Sequence, residues 1–170
     1  MSTYGLVGLL KLIEASDGTV DTRIRIQKEA FLLALKGYRN FRSHAFRYHH
    51  FGPFSREVSE TIQTAVSAGL IVEEEEKFPD GTRKYTYRLT EAGRTFIDGD
   101  EELPANMREY VRTLNREHWR ALELAATVAY LEHRSRAPSR ADAFELAKKL
   151  KPETAPYSER ADKILDALGV

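Results

Sequence analysis

The feature that most constrains the fold is a β-hairpin pattern in residues 70–89. The apolar pair Leu70-Ile71 begins one strand, residues 79–82 (Pro-Asp-Gly-Thr) have the composition of a tight turn, and residues 83–89 alternate polar with apolar side chains. The residues before the hairpin predict a helix, because apolar side chains recur there at spacings of three and four: Val58, Ile62, Ala65 and Val66. This helix would follow the N-cap residue Ser55 and end at Gly69. The chain therefore places a capped helix directly before a hairpin.

Two further helices are predicted closer to the start of the chain. Residues 6–13 are almost entirely apolar and predict a short buried helix, which the turn cluster of residues 16–19 ends. Residues 22–36 predict a second helix, closed by Gly37. This second helix would be largely buried and would expose one narrow polar strip, made of Arg25, Lys28, Glu29 and Lys36.

A short strand is predicted between the second helix and the capped helix. Residues 46–51 alternate and are rich in aromatic side chains, and residues 52–54 (Gly-Pro-Phe) would break the strand. After the hairpin, Thr90 would cap a short helix over residues 91–97. The order helix, helix, strand, helix, hairpin is that of a winged helix-turn-helix domain. The predicted fold class is therefore mainly α with a small antiparallel sheet (α+β), with this domain in residues 1–98.

Two segments of the predicted domain resemble a known family. Residues 22–33 (TRIRIQKEAFLL) and residues 46–55 (FRYHHFGPFS) are similar to the YwgA-like family of bacterial and archaeal winged-helix proteins, which has an arginine-rich helix followed by a strand-to-helix turn. The similarity covers residues 5–98 and, more loosely, residues 122–131. Members of that family are largely uncharacterised. The resemblance therefore implies the fold and an expectation of regulation or protein partnership, and it implies no catalytic residue.

The rest of the chain is predicted to be helical. Residues 99–104 form an acidic joint, which we take as the boundary between the first domain and a helical lobe over residues 105–170. A long helix could run over residues 105–132, with a break near Asn115.

The apolar side chains of this lobe predict a homodimer. Residues 121–131 are almost wholly apolar, so the segment needs cover on every side. Two shorter helices, capped by Ser139 and Ser158, offer little surface for that purpose. We therefore expect a homodimer with the helix over residues 105–131 in its interface.

The sequence contains no recognisable catalytic or metal-binding motif. It has no cysteine, and its five histidines form no His-Glu-x-x-His pattern. His49 and His50 are neighbours on the predicted strand, so they would point to opposite faces. We expect no enzyme activity, no metal and no cofactor. Gln27 lies in the apolar arc of its helix and is either a buried amide bonded to backbone or a polar group that faces a ligand or partner groove.

Charge is balanced overall but unevenly distributed along the chain. The 26 basic residues match the 26 acidic ones, yet residues 20–55 carry a net charge of +5 and residues 56–82 carry −5. No apolar stretch is long enough to span a bilayer, so no membrane partner is expected. The absence of cysteine fits a reducing compartment, and a cytoplasmic location is expected.

Two functions follow from this charge pattern. A winged helix reads base edges with the helix before the hairpin and contacts phosphates with the hairpin. The favoured hypothesis is a transcriptional regulator that binds double-stranded DNA, with the following candidate contacts: Arg25, Lys28, Arg42, Arg47, Arg56, Gln63, Arg83 and Lys84. However, the capped helix and the hairpin are acidic and would repel phosphates. The alternative is a protein-interaction subunit of a larger assembly, of the defence or toxin–antitoxin type, that does not bind DNA.

Overall fold

A computed structural model describes residues 3–50, 52–134 and 137–169. In these residues, the helices are α1 (Thr3–Ala15), α2 (Arg23–Lys36), α3 (Arg56–Ser67), α4 (Glu91–Ile97), α5 (Ala105–Arg116), α6 (Trp119–His133), α7 (Arg140–Leu150) and α8 (Ser158–Leu168). The strands are β1 (Thr19–Asp21), β2 (Arg47–His49), β3 (Gly52–Phe54), β4 (Ile71–Lys77) and β5 (Arg83–Leu89). The protein is therefore mainly helical with small antiparallel sheets, as the sequence predicts.

The hairpin predicted from residues 70–89 is confirmed and belongs to a three-stranded sheet. Strands β4 and β5 pair in register from Ile71 opposite Leu89 to Lys77 opposite Arg83. The sheet order is β1-β5-β4, because the short strand β1 pairs with the other edge of β5. Strand β1 was not predicted, since three residues are too few to show an alternating pattern.

The interpretation of residues 46–54 as one strand followed by a break is wrong. Strand β2 pairs with β3, and Arg47 lies opposite Phe54, so the Gly-Pro-Phe segment is itself a strand. The turn between them includes His50, and Phe51 lies outside the described residues. The pairing of β2 with β3 places both halves of this aromatic segment side by side, and an alternating sequence pattern does not by itself indicate such a pairing.

Most of the predicted helix boundaries are confirmed by the caps. Thr22, Ser55, Thr90 and Ser139 each accept a backbone N–H at the start of a helix, and Gly37 ends α2 in the left-handed conformation. The break predicted near Asn115 lies two residues later, at Glu117 and His118. Ser158 is not a cap: it is the first residue of α8, and its hydroxyl donates to the Ala155 carbonyl at 2.7 Å.

Helix α6 lies at the centre of the hydrophobic core. It packs against α2, β3, α7 and α8, and the core is continuous across the predicted joint at residues 99–104. Residues 121–131 are buried within one chain, apart from the partly exposed Tyr130. The reason for predicting a dimer through this segment, its lack of cover, is therefore removed. The division into two domains stays a prediction.

Candidate binding surface and its buried support

The two residues predicted to contact bases lie on the outer face of α3. Arg56 begins the helix with a side chain that is 90% exposed, and Gln63 is also exposed. Together with the β4–β5 hairpin, this face forms what we call the α3–wing surface. The Nε of Arg56 lies 3.1 Å from Glu60 Oε1, one turn further along the helix.

The basic side chains of the α3–wing surface are engaged by carboxylates. The Nε of Arg83 lies 3.3 Å from Glu75 Oε1 across the hairpin, and Lys84 Nζ lies 3.0 Å from Asp21 Oδ2. Arg42, also predicted to contact DNA, forms an ion pair with Glu57 of α3. These pairs are exposed and individually weak, but each places a carboxylate where a phosphate would have to approach.

Acidic and apolar side chains remain at the tip of the hairpin. Within the described residues, Glu76 and Asp80 have no cation within ion-pair distance, and Phe78 lies between them in sequence with 41% of its surface exposed. Val72, at the other end of β4, is 44% exposed. The outermost part of this surface therefore combines negative charge with exposed hydrophobic area.

A hydrogen-bonded triad holds the base of the hairpin against α2. The Nε of Arg23 donates to Tyr87 Oη at 2.6 Å, and both Arg23 Nη2 and Tyr87 Oη donate to Glu73 Oε2, at 2.8 and 2.7 Å. The bonds from Tyr87 and Arg23 hold the pKa of Glu73 below its usual value. Glu73, one of the four consecutive glutamates of β4, thus has a structural role at the base of the hairpin.

Two of the predicted DNA contacts, Arg25 and Lys28, bond to backbone carbonyls within the protein. The Arg25 guanidinium donates to the carbonyls of Leu114 and Glu117, both at 2.8 Å, and so caps the end of α5. Lys28 is 2% exposed, and its ammonium donates to the Pro53 carbonyl at 3.1 Å. Within the predicted polar strip on α2, Lys28 and Glu29 are buried and Arg25 and Lys36 are half-buried, because β3, α5 and α6 pack against this helix.

Arg47 is the remaining predicted contact, and it is exposed on β2. Its guanidinium donates to the carbonyls of His44 and Phe46, at 2.5 and 3.2 Å, within its own loop. The structure thus places Arg42, Arg47, Arg56, Gln63, Arg83 and Lys84 on the outside, but it does not gather them into one unpaired basic patch.

Gln27 is a buried amide, as the first of its two interpretations predicts. Its Nε2 donates to the Ser55 carbonyl at 2.9 Å, and the Ser55 N–H donates to its Oε1 at 2.9 Å. Ser55 in turn caps α3 by accepting the Val58 N–H at 3.2 Å. A side chain of α2 therefore fixes the position of the first turn of α3.

A buried charge cluster lies next to this contact. Glu123 and Lys151 are nearly inaccessible, with Lys151 Nζ 3.4 Å from Glu123 Oε2, and the Lys151 ammonium also donates to the His50 carbonyl. Burial lowers the pKa of Lys28 to about 7; the charge of Glu123 opposes this shift and that of Lys151 adds to it. The cluster therefore ties the β2–β3 turn to α2 and α6.

Several buried polar atoms have no hydrogen-bond partner in the described residues, and two of the side chains concerned, Thr127 and Glu29, lie close to this cluster in the sequence. The Thr127 hydroxyl lies beneath β3, and both carboxyl oxygens of Glu29 are unpaired. Complete burial raises the pKa of Glu29 to about 8, although the positive charge of Arg25 acts in the opposite direction. Such groups carry a free-energy cost that the packing around them must offset.

The expectation that His49 and His50 point to opposite faces is wrong. His50 lies in the turn rather than on the strand, and the two rings meet edge to face with centroids 4.9 Å apart. Among the described residues, no group of three or more potential ligands could hold a metal ion.

An aromatic and basic region that was not predicted from the sequence lies where α5 ends and α6 begins. Trp119 is 40% exposed there, and its ring lies against the Arg120 guanidinium, 4.2 Å from the ring centroid. Arg112 and Arg116 lie on the last two turns of α5. The chain's only tryptophan next to a helix break was the signal that could have identified this region.

Fold and surface together define a mainly helical α+β protein with an exposed acidic hairpin. No helix of the described residues is both long and apolar enough to cross a membrane. The chain is similar to "Uncharacterized protein YwgA" of Bacillus subtilis (strain 168), with 28% identity over 152 residues, which is 89% of each chain. No family model matches the chain. This similarity supports the resemblance to YwgA that residues 22–33 and 46–55 indicate. Membership in a winged-helix family stays a prediction.

Proposed function

We propose that this chain is a non-enzymatic winged-helix protein that binds a basic protein surface through its α3–wing surface. The observation that carries the proposal is the state of the basic residues: those of α3 and of the hairpin are already paired with carboxylates. Among the residues that the structure describes, Glu76 and Asp80 have no such partners at the tip, beside the exposed ring of Phe78.

Charge complementarity identifies the kind of partner. Phosphate binding gains free energy when Lys and Arg side chains displace condensed counterions, and here each such side chain would first have to leave its carboxylate. A basic protein surface meets no such obstacle, because it can pair with Glu76 and Asp80 while an apolar group covers Phe78.

The order of the elements supports the winged-helix part of the proposal. Helices α2 and α3 are followed by the β4–β5 hairpin, and β1 completes the sheet as its third strand. The segment between α2 and α3 contains the additional β2–β3 hairpin. Its support by Gln27 and the buried charge cluster fixes how α3 is presented.

Capture experiments with charge-reversed variants test the proposal. The variant E76K/D80K changes the tip, and E101K/E109K makes the same change in charge at exposed residues elsewhere. A captured protein counts as a partner only if, once purified, it binds the wild type and E101K/E109K but binds E76K/D80K at least about tenfold more weakly. Equal binding to both variants would refute the proposed surface.

Double-stranded DNA is the second candidate, favoured by the outward position of Arg56 and Gln63 on α3. Anisotropy of a labelled genomic duplex at about 50 and 200 mM salt separates the candidates, because phosphate contacts weaken steeply with salt. Retention at low salt that R42E/R47E abolishes would support a regulator and oppose the protein-docking proposal. Arg25 and Lys28 are unsuitable for this variant, since reversing them would disturb the interior.

Homodimer formation stays a proposal without an assigned interface. Light scattering at tens of micromolar tests it, and the mass of one chain, 19.4 kDa, would exclude a dimer at that concentration. The cytoplasmic location expected from the cysteine-free sequence likewise stays a prediction.

A further inference from the structure

Two adjoining cavities lie between the β1–α2 corner and the junction of α5 with α6. The larger has a volume of about 400 Å³ and Trp119 in its wall. The smaller has a volume of about 180 Å³, and Arg112 and Arg116 line it. Asp21 and Arg25 line both cavities, so the two form one site, which we call the Trp119 groove.

The basic side chains of this groove differ from those of the α3–wing surface. Arg112 and Arg116 lie one helical turn apart and are exposed, and neither guanidinium has a hydrogen bond or an ion pair with another described residue. Asp21 is paired with Lys84, which leaves Asp17 as the other acidic side chain of the lining. The groove therefore offers two arginines to an anion without the loss of an existing ion pair.

The groove also presents an aromatic surface. Trp119 is the only tryptophan of the chain and is 40% exposed, although tryptophan is usually well buried. The Arg120 guanidinium lies over the ring, 4.2 Å from its centroid, and the His118 ring is nearly parallel to the indole at a centroid distance of 6.0 Å. The exposed part of the indole lines the larger cavity together with Ile24. A planar ring that enters this cavity can stack on the indole.

Backbone strain is concentrated at the same place. Within the described residues, Asp17 and Thr22 are the non-glycine residues with positive φ, at 58° and 64°, and both line the groove. For the β-branched Thr22 this conformation is costly. It is held by a bond of 2.7 Å from its N–H to the Tyr85 carbonyl and by the Arg25 N–H, which its hydroxyl accepts at 3.1 Å. Such strain is typical of binding sites.

We propose that the Trp119 groove binds a free nucleotide, with the base on the indole of Trp119 and the phosphate between Arg112 and Arg116. The larger cavity is within the range of about 300–1,000 Å³ that small-molecule sites occupy. Paired guanidinium groups match phosphate oxygens in geometry as well as in charge. Since the groove lies between residues 1–98 and the helices after residue 104, a bound nucleotide contacts both parts of the chain. The proposal does not depend on what the α3–wing surface binds.

Fluorescence of the single tryptophan reports on the groove directly. The purified full chain is titrated with ATP, with adenosine and with inorganic phosphate, using excitation at the red edge of the indole band to limit absorption by the nucleotide. We expect a saturable change with ATP, and binding at least about tenfold weaker for each fragment, because each makes only part of the contacts.

Paired variants separate the groove from general anion binding. R112A/R116A should bind ATP at least about tenfold more weakly. R39A/R94A removes two exposed arginines elsewhere that also lack ion pairs within the described residues, and it should bind as the wild type does. Thermal melting establishes that both variants are folded. W119F, measured by equilibrium dialysis, should lose affinity for ATP and not for phosphate.

Three results would overturn the proposal. The first is the absence of any saturable change at millimolar ATP. The second is an equal loss of affinity in R112A/R116A and R39A/R94A, which would indicate non-specific attraction. The third is a single-stranded decanucleotide that binds more tightly than ATP, which would assign the groove to single-stranded nucleic acid instead.

Discussion

The substitution Gly52→Ala tests whether strand β3 must lie directly against α6. Gly52 has a φ of +92°, and a Cβ at this position would lie 2.8 Å from Thr127 Oγ1 and 3.6 Å from Lys28 Cε. Gly81, in the turn of the β4–β5 hairpin, has a φ of +89°, and its Cβ would have no atom of the described residues within 4 Å. The two glycines therefore share a backbone conformation and differ in their surroundings, which makes Gly81→Ala the matched control.

The expected cost separates into two contributions. A side chain in the left-handed region costs about 1–2 kcal/mol, and both variants should lose this amount. Overpacking a buried site adds about 1–3 kcal/mol, and only Gly52→Ala should lose it. We therefore expect a decrease in the free energy of unfolding of about 1–2 kcal/mol for Gly81→Ala and of about 2–5 kcal/mol for Gly52→Ala.

Thr127→Ala makes the test specific to the contact. Urea denaturation of the wild type, Gly52→Ala, Thr127→Ala and G52A/T127A gives a double-mutant cycle. Because Thr127→Ala removes the atom that the new Cβ would meet, the overpacking cost should appear as a favourable coupling free energy of about 1–3 kcal/mol. The Thr127 hydroxyl has no partner in the described residues, so its removal breaks no hydrogen bond there. The reasoning is refuted if Gly52→Ala costs no more than Gly81→Ala, or if the coupling is zero.

Three further predictions concern the buried polar groups and use unfolding free energies as the measurement. Gln27→Ala should cost about 1–3 kcal/mol because it leaves the buried Ser55 N–H without a partner, whereas Gln63→Ala on the surface should change stability by less than about 0.5 kcal/mol; equal effects would contradict the placement of Gln27. Ser55→Ala should cost about 1 kcal/mol through loss of the α3 cap, and an unchanged melting temperature would show that Ser55 does not start that helix. The raised pKa of Glu29 contributes stability that is fully present below pH 4.5, the ordinary pKa of a glutamate, and is lost as pH rises through about 8. The lowered pKa of Lys28 contributes stability that is fully present above pH 10.5, the ordinary pKa of a lysine, and is lost as pH falls through about 7. The free energy of unfolding should therefore pass through a minimum near pH 7–8. E29Q should reduce its pH dependence below this minimum, and K28M should reduce it above the minimum. If the curves of both variants run parallel to that of the wild type, both assignments are contradicted.

The parts of the fold that could be predicted from sequence are those with local signals. Helix α3, the β4–β5 hairpin and α4 follow from caps, turn residues and periodicity that lie within the elements themselves. Strands β1 and β3 could not be predicted, because each has three residues and its pairing partner determines it. The packing that buries residues 121–131 is non-local in the same way, which is why the sequence indicated an uncovered helix.

Candidate site residues show the same division. Exposure of Arg56 and Gln63 follows from the periodicity of one helix, and the structure has them there. The helical wheel of α2 placed Lys28 and Glu29 on a polar strip, but a wheel does not show that other elements cover that strip. Likewise, the pairing of Lys84 with Asp21 requires β1 beside β5, so this ion pair was not visible in the sequence.

The two segments that resemble the YwgA-like family meet each other in the structure. Gln27 and Lys28 come from the first segment, and they bond to the Ser55 and Pro53 backbone of the second. The shared motif is therefore best explained as the support that fixes β3 and the start of α3, rather than as a ligand site.

The buried support also includes the ion pair of Glu123 with Lys151, and both of these residues belong to the part of the chain after residue 104. An alignment of 152 residues with the B. subtilis protein cannot fit within residues 1–98 and must extend well into those helices. If the buried support requires both parts of the chain, residues 1–98 and the helices after residue 104 should occur together in relatives. Relatives that bind different partners should then differ in the exposed β4–β5 hairpin, whose position depends on this support.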